Sequence, residues 1–77
     1  MFSFTEPAIP RVTVRSSNLR SVGYDRWAQR LEIEFRNGRV YAYFEVPEHL
    51  HSQLMTATSK GRYFRSHIQG RFQYRRL

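Results

Sequence analysis

The 77-residue sequence contains no cysteine. That excludes a disulfide framework and a thiolate metal centre, so a chain this short is held by packing alone. No run is long and apolar enough for a membrane-spanning helix. The first residues, MFSFTEPAIPRV, lack the basic stretch and apolar core of a signal peptide. These absences lead us to expect a cytoplasmic protein with no membrane partner. Lysine is almost missing: of 13 basic residues only Lys60 is a lysine. Acids are missing altogether from residues 49–77.

What is present is aromatic and basic. Phe, Tyr and Trp make up 16% of the chain, and with few large aliphatic residues they must supply much of the core. The net charge of +7 is unevenly spread. Residues 1–48 carry seven Arg and all six acids, a net of +1; residues 49–77 carry five Arg and Lys60, a net of +6. Arginine presents a planar fork of donors that fits phosphate and stacks on flat rings. A one-sided, Arg-dominated, acid-free segment is the footprint of a polyanion binder. The alternative is a solvated basic surface.

Residues 1–11 read as an N-terminal arm, with Phe2 and Phe4 as candidate anchors, and residues 12–77 as one domain. RVTV (11–14) alternates and suits a short edge strand; RSSN (15–18) suits a turn. LRSVGYD (19–25) is a strand candidate in which Gly23 signals a bulge or a close backbone approach. RLEIEFRNGRVYAYFEV is two alternating runs joined by Asn37-Gly38, the dipeptide of a two-residue hairpin turn. That turn sets Phe35 opposite Val40 and Glu34 opposite Tyr41. Leu31, Ile33, Phe35, Val40, Ala42 and Phe44 then form a core face, with Tyr41 and Tyr43 beside Glu32 and Glu34 on the other. PEHLHSQLMTA (47–57) reads as a helix opened by Pro47 and Glu48, with Leu50, Leu54 and Ala57 in a stripe. A second helix starts at Thr58 or Ser59, turns Phe64 and Ile68 inward, and stops at Gly70. The order predicts an α+β domain: a small antiparallel sheet of three or four strands with a central hairpin, followed by two helices packed on one face.

Several of these segments, in this order, resemble the KTSC domain family. They are SSNLRSVGYD, LEIEFRNGRVYAYFEVP with its Tyr41-Ala42-Tyr43, and SKGRYFRSHIQGRFQYRRL with its Ser59-Lys60-Gly61-Arg62-Tyr63-Phe64. The resemblance spans residues 12 to 77. The family is named for its place at the C-terminus of some lysyl-tRNA synthetases and also occurs as small stand-alone bacterial and phage proteins. It supports the α+β fold, and through the synthetase association it favours RNA over DNA as a ligand. That preference is an analogy.

Two constellations carry candidate chemistry. Tyr41 and Tyr43 either form a stacking platform for bases or are covered by the arm or tail, and the adjacent Glu32 and Glu34 favour cover. Lys60-Gly61-Arg62 opens a helix, whose positive end disfavours cations. A bound phosphate on the free N–H groups would reverse that cost; otherwise both side chains extend into water. The anion site is the preferred reading. Arg71, Arg75 and Arg76 interleave with Phe72 and Tyr74, which suits nucleic acid or a tail laid over the sheet. His49 and His51 diverge on a helix, and His67 has no carboxylate nearby. We therefore expect no catalytic residue, no metal site and no cofactor.

The expected function is a non-catalytic nucleic-acid-binding module, RNA or DNA. Lys60, Gly61, Arg62, Arg65 and Arg71 would meet phosphates, and Tyr41, Tyr43 and Tyr63 would stack. The alternative is a protein-interaction module, such as a small phage or bacterial effector docking on an acidic partner. The sequence carries no signal for oligomeric state.

Overall fold

The computed structural model describes residues 9–77, so anchoring by Phe2 and Phe4 lies outside the described residues. These residues form strands β1 (Arg11–Thr13), β2 (Leu19–Asp25), β3 (Arg30–Phe35) and β4 (Val40–Tyr43). Helices α1 (Glu48–Thr56) and α2 (Lys60–His67) follow, and then a last strand, β5 (Tyr74–Arg76). The strands make one antiparallel sheet in the order β1-β2-β3-β4-β5. The expected α+β class holds, with one strand more than expected. The tail returns after both helices to pair with β4: Phe44 N donates to Gln73 O at 3.0 Å and Leu77 N to Val40 O at 2.8 Å.

Local chemistry explains the helices. Pro47 is the N-cap residue of α1 and Glu48 occupies its first turn, where a carboxylate meets the positive helix end. Ser59 caps α2, its Oγ accepting from Arg62 N at 3.3 Å. Neither helix is long enough to persist alone in water. Packing holds them: Leu54 of α1, Phe64 of α2 and Ile68 are buried against Leu19, Val22, Leu31, Ile33, Tyr43 and Val46. Each such side chain contributes about 1.5–3 kcal/mol. Gly70, at φ 78°, turns the chain back towards the sheet.

The hairpin register differs from expectation by one residue. Glu34 lies opposite Val40, Ile33 opposite Tyr41 and Leu31 opposite Tyr43. A two-residue type I′ turn needs positive φ at both Asn37 and Gly38. Only Gly38 has it, at 89°. Gly38 N donates to Phe35 O and Phe35 N to Arg39 O, each at 2.9 Å. The loop is thus three residues, a type I turn closed by a left-handed glycine. The extra residue flips every side chain of β4. Tyr41 and Tyr43 join Leu31, Ile33 and Phe35 on the helix-covered face, and Val40, Ala42 and Phe44 move to the face of Glu32 and Glu34.

That second face is a layer of arginine contacts. Glu32, only 4% exposed, accepts from Arg11 Nη1 at 2.9 Å and from Arg30 Nε at 3.1 Å. Ser21 Oγ donates to Glu34 Oε1 at 2.9 Å. Phe44 has Arg30 and Arg75 over its ring, at 5.7 and 5.8 Å. Gly23 marks a close approach, as its sequence position suggested: a β-carbon there would sit 2.7 Å from Pro10 O. The bulge falls instead between Leu19 and Ser21, which lets Leu19 and Val22 both point into the core.

Candidate functional site

The register shift builds a cleft. Phe35, Tyr41 and Tyr43 project from β3 and β4 towards α2, and Tyr74 arrives on β5 directly opposite Tyr43. Phe64 packs edge-on against Phe35 and Tyr43 at 5.4 and 5.5 Å. Tyr74 lies edge-on to Tyr41 at 5.8 Å and tilted against Tyr43 at 5.9 Å. Between this aromatic floor and the end of α2 is a space of about 530 Å³, bordered also by Asn18, Arg65, Gln69 and Gly70. No acid among the described residues lines it. A shallower groove shares Gly70 and Tyr74 as its wall and continues past Arg71, Phe72 and Gln73.

Tyr43 is 6% exposed, yet its hydroxyl has no hydrogen-bond partner among the described residues, and no fully buried side-chain oxygen there goes unpaired. The hydroxyl therefore keeps access to solvent, on a residue that lines the cleft. Burial first, then the neighbouring Tyr41 and Tyr74, push its pKa up to about 12. At neutral pH it is a hydrogen-bond donor.

Comparison with known proteins agrees with this architecture. The family model for the KTSC domain matches residues 15–72. The chain belongs to the KTSC family. A KTSC domain protein from Yersinia pestis, solved by crystallography, superposes with a TM-score of 0.88 at 44% identity, over 91% of this chain and 99% of that one. A lysine–tRNA ligase from Trichormus variabilis is 39% identical over 70 residues, 91% of this chain. The chain spans only 12% of that ligase's length. An uncharacterized protein from Stutzerimonas stutzeri is 48% identical over 54 residues, 70% of this chain and 76% of that protein.

Within this KTSC domain the expected site residues divide. Tyr41, Tyr43 and Arg65 meet at the cleft, and Arg71 borders the adjoining groove. The tyrosines lie on the opposite face from the one expected, and of the two alternatives, open platform or cover, α2 and the tail partly cover them. Tyr63 stands apart, its ring stacked on His67 at 4.2 Å and its hydroxyl donating to Gln53 Oε1 at 2.6 Å.

The opening of α2 is also used differently from expectation. Lys60 Nζ donates to Ala57 O at 3.2 Å, so the cation complements the negative end of α1. Gly61 is buried, and the close approach it permits is made by Asn18, whose amide fills the space a β-carbon would need. Arg62 is exposed and its backbone N–H is taken by Ser59. Asn18, Phe35, Phe64, Gln69 and Tyr74 escaped the sequence reading as a group. Phe35 and Phe64 were expected only as core and Tyr74 only as an aromatic set between arginines; nothing in the sequence brought them together.

Proposed function

We propose that this KTSC domain is a non-catalytic nucleic-acid-binding module that holds its ligand chiefly through phosphates. One observation carries the reading: Glu32 and Glu34 of the sheet are held on the face away from the exposed arginines of the helix side. Glu32 and Glu34 are occupied by Arg11, Arg30 and Ser21 on the second face. Arg62, Arg65 and Arg71 stand exposed around the helix side, in a segment without acids. Register also removes the repulsion that glutamates beside Tyr41 and Tyr43 would have exerted on phosphate. RNA is preferred over DNA because the ligases similar to this chain carry tRNA in their names.

Titration with single-stranded RNA, single-stranded DNA, duplex DNA and tRNA at several salt concentrations tests this. The logarithm of affinity should fall steeply and linearly with that of salt. Replacing Arg62, Arg65 and Arg71 by Ala should leave the melting temperature nearly unchanged and lower the slope by about one unit per lost contact. No binding, or binding indifferent to salt, would refute the proposal.

A second reading has its own observation. Trp27 is 86% exposed at the β2–β3 turn. Asp25 Oδ1 accepts from Trp27 N at 3.0 Å and Ala28 N at 3.2 Å, fixing that turn. Arg26 lies over the indole at 5.1 Å. A held, exposed Trp–Arg pair is the composition of a protein-binding hot spot. Docking there would show a shallow salt response and would be lost in Trp27→Ala.

A further inference from the structure

We infer that the cleft between α2, β4 and β5 holds one unpaired nucleobase, with the neighbouring phosphates on Arg65 and Arg71. The inference rests on the nucleic-acid reading and narrows it to single strands. Three observations carry it.

The first is shape and lining. About 530 Å³ lies within the ~300–1,000 Å³ of small-ligand sites, and the lining is dominated by aromatic rings. Tyr74, 62% exposed, offers a ring on which a flat ligand can stack. Stacking on aromatics is how sheet-borne sites hold splayed bases.

The second is the polar equipment. Tyr43 lines the cleft with an unpaired, solvent-accessible hydroxyl able to donate a hydrogen bond; the Gln69 amide offers donors and acceptors at the border, beside Asn18, whose Oδ1 accepts from Ser16 Oγ. Such groups suit the edge of a base.

The third is charge. Among the described residues the cleft is lined by one cation, Arg65, and by no acid, and the groove beyond Tyr74 leads to Arg71. A ligand matching this site is a flat ring attached to anions on either side. That describes a nucleotide within a strand better than an aromatic side chain of a protein. A base inside a duplex is stacked and cannot enter.

The test uses the full chain and four probes at one salt concentration: a short single-stranded RNA, the DNA of the same sequence, its duplex, and an abasic deoxyribose-phosphate strand of equal length. Both base-bearing single strands should bind about tenfold more tightly than the abasic strand, the worth of one base–aromatic stack. The RNA and DNA arms distinguish the source of the base. Tyr74→Ala should abolish the difference while leaving the abasic affinity and the salt slope unchanged. Tyr43→Phe keeps the ring and the packing, so it remains decisive where Tyr74→Ala disturbs folding. It should weaken base-bearing strands by roughly fivefold, the worth of one hydrogen bond.

Equal binding of abasic and base-bearing strands, with steep salt dependence, would overturn the base pocket and leave phosphate binding standing. A base preference that survives both tyrosine substitutions would overturn it too, since the base would then lie elsewhere. Absence of binding to every probe would overturn both readings.

Discussion

His51 lies flat on Tyr24, with ring centroids 4.6 Å apart and planes 11° from parallel. The Tyr24 hydroxyl in turn donates to Val46 O at 2.6 Å, so one aromatic stack joins α1, β2 and the chain between β4 and α1. Burial lowers the His51 pKa below its ordinary 6.5, with Glu48 acting in the opposite direction. The folded state therefore binds this proton less readily than the unfolded chain. Its stabilising contribution is present above pH 6.5 and is lost as pH falls through the folded-state pKa. Melting temperatures measured between pH 7 and 5 should decline, and His51→Phe, which keeps a ring on Tyr24, should flatten that decline. A decline of equal steepness in the variant would place the titrating group elsewhere. Pairs within one helix, such as Tyr63 with His67, were readable from four-residue spacing. The stack of His51 on Tyr24 was not, because it depends on how helix and sheet dock.

At the scale of elements, β2, both helices, the caps at Ser59 and Gly70 and the hairpin at Asn37-Gly38 were all legible, because each has a local chemical signature. The failures have a common cause. Register depends on whether one or two loop residues take positive φ, and Asn-Gly is compatible with both outcomes. The strand β5 is three residues long, exposed throughout and two-thirds arginine, so it has no period to detect. The cleft needs both features and was invisible for that reason. The contact between Asn18 and Gly61 belongs to this scale, since it seats the start of α2 on the turn before β2. Alanine in place of a helical glycine is ordinarily favourable by up to about 1 kcal/mol. At Gly61 the added methyl group would clash with the Asn18 amide, so Gly61→Ala should destabilise by about 1–3 kcal/mol. Denaturant unfolding would measure it. Asn18→Ala in the same chain should recover most of the loss, whereas an unchanged deficit would mean that the clash is not the cause.

For the whole molecule, the charge imbalance between the two halves of the chain was plain in the sequence. So was the placing of Glu32 and Glu34 on the face away from the helices; what the register changed was the face of Tyr41 and Tyr43. The return of β5 across both helices has a further consequence. A short, exposed strand whose pairing closes a long loop belongs to the least stable part of a fold. Its docked fraction multiplies any affinity that needs Tyr74, because apparent Kd is the intrinsic value divided by that fraction. The amides of Phe44 and Leu77, which bond to Gln73 and Val40 across this seam, should exchange with solvent faster than those of β2 and β3. Saturating single-stranded oligonucleotide should slow them, and unchanged exchange would show a ligand indifferent to the strand. Heating should then undock the tail before the sheet melts, so affinity would fall away at temperatures where the protein still looks folded. The cleft would be a part-time site, open for occupation only while the last strand is in place.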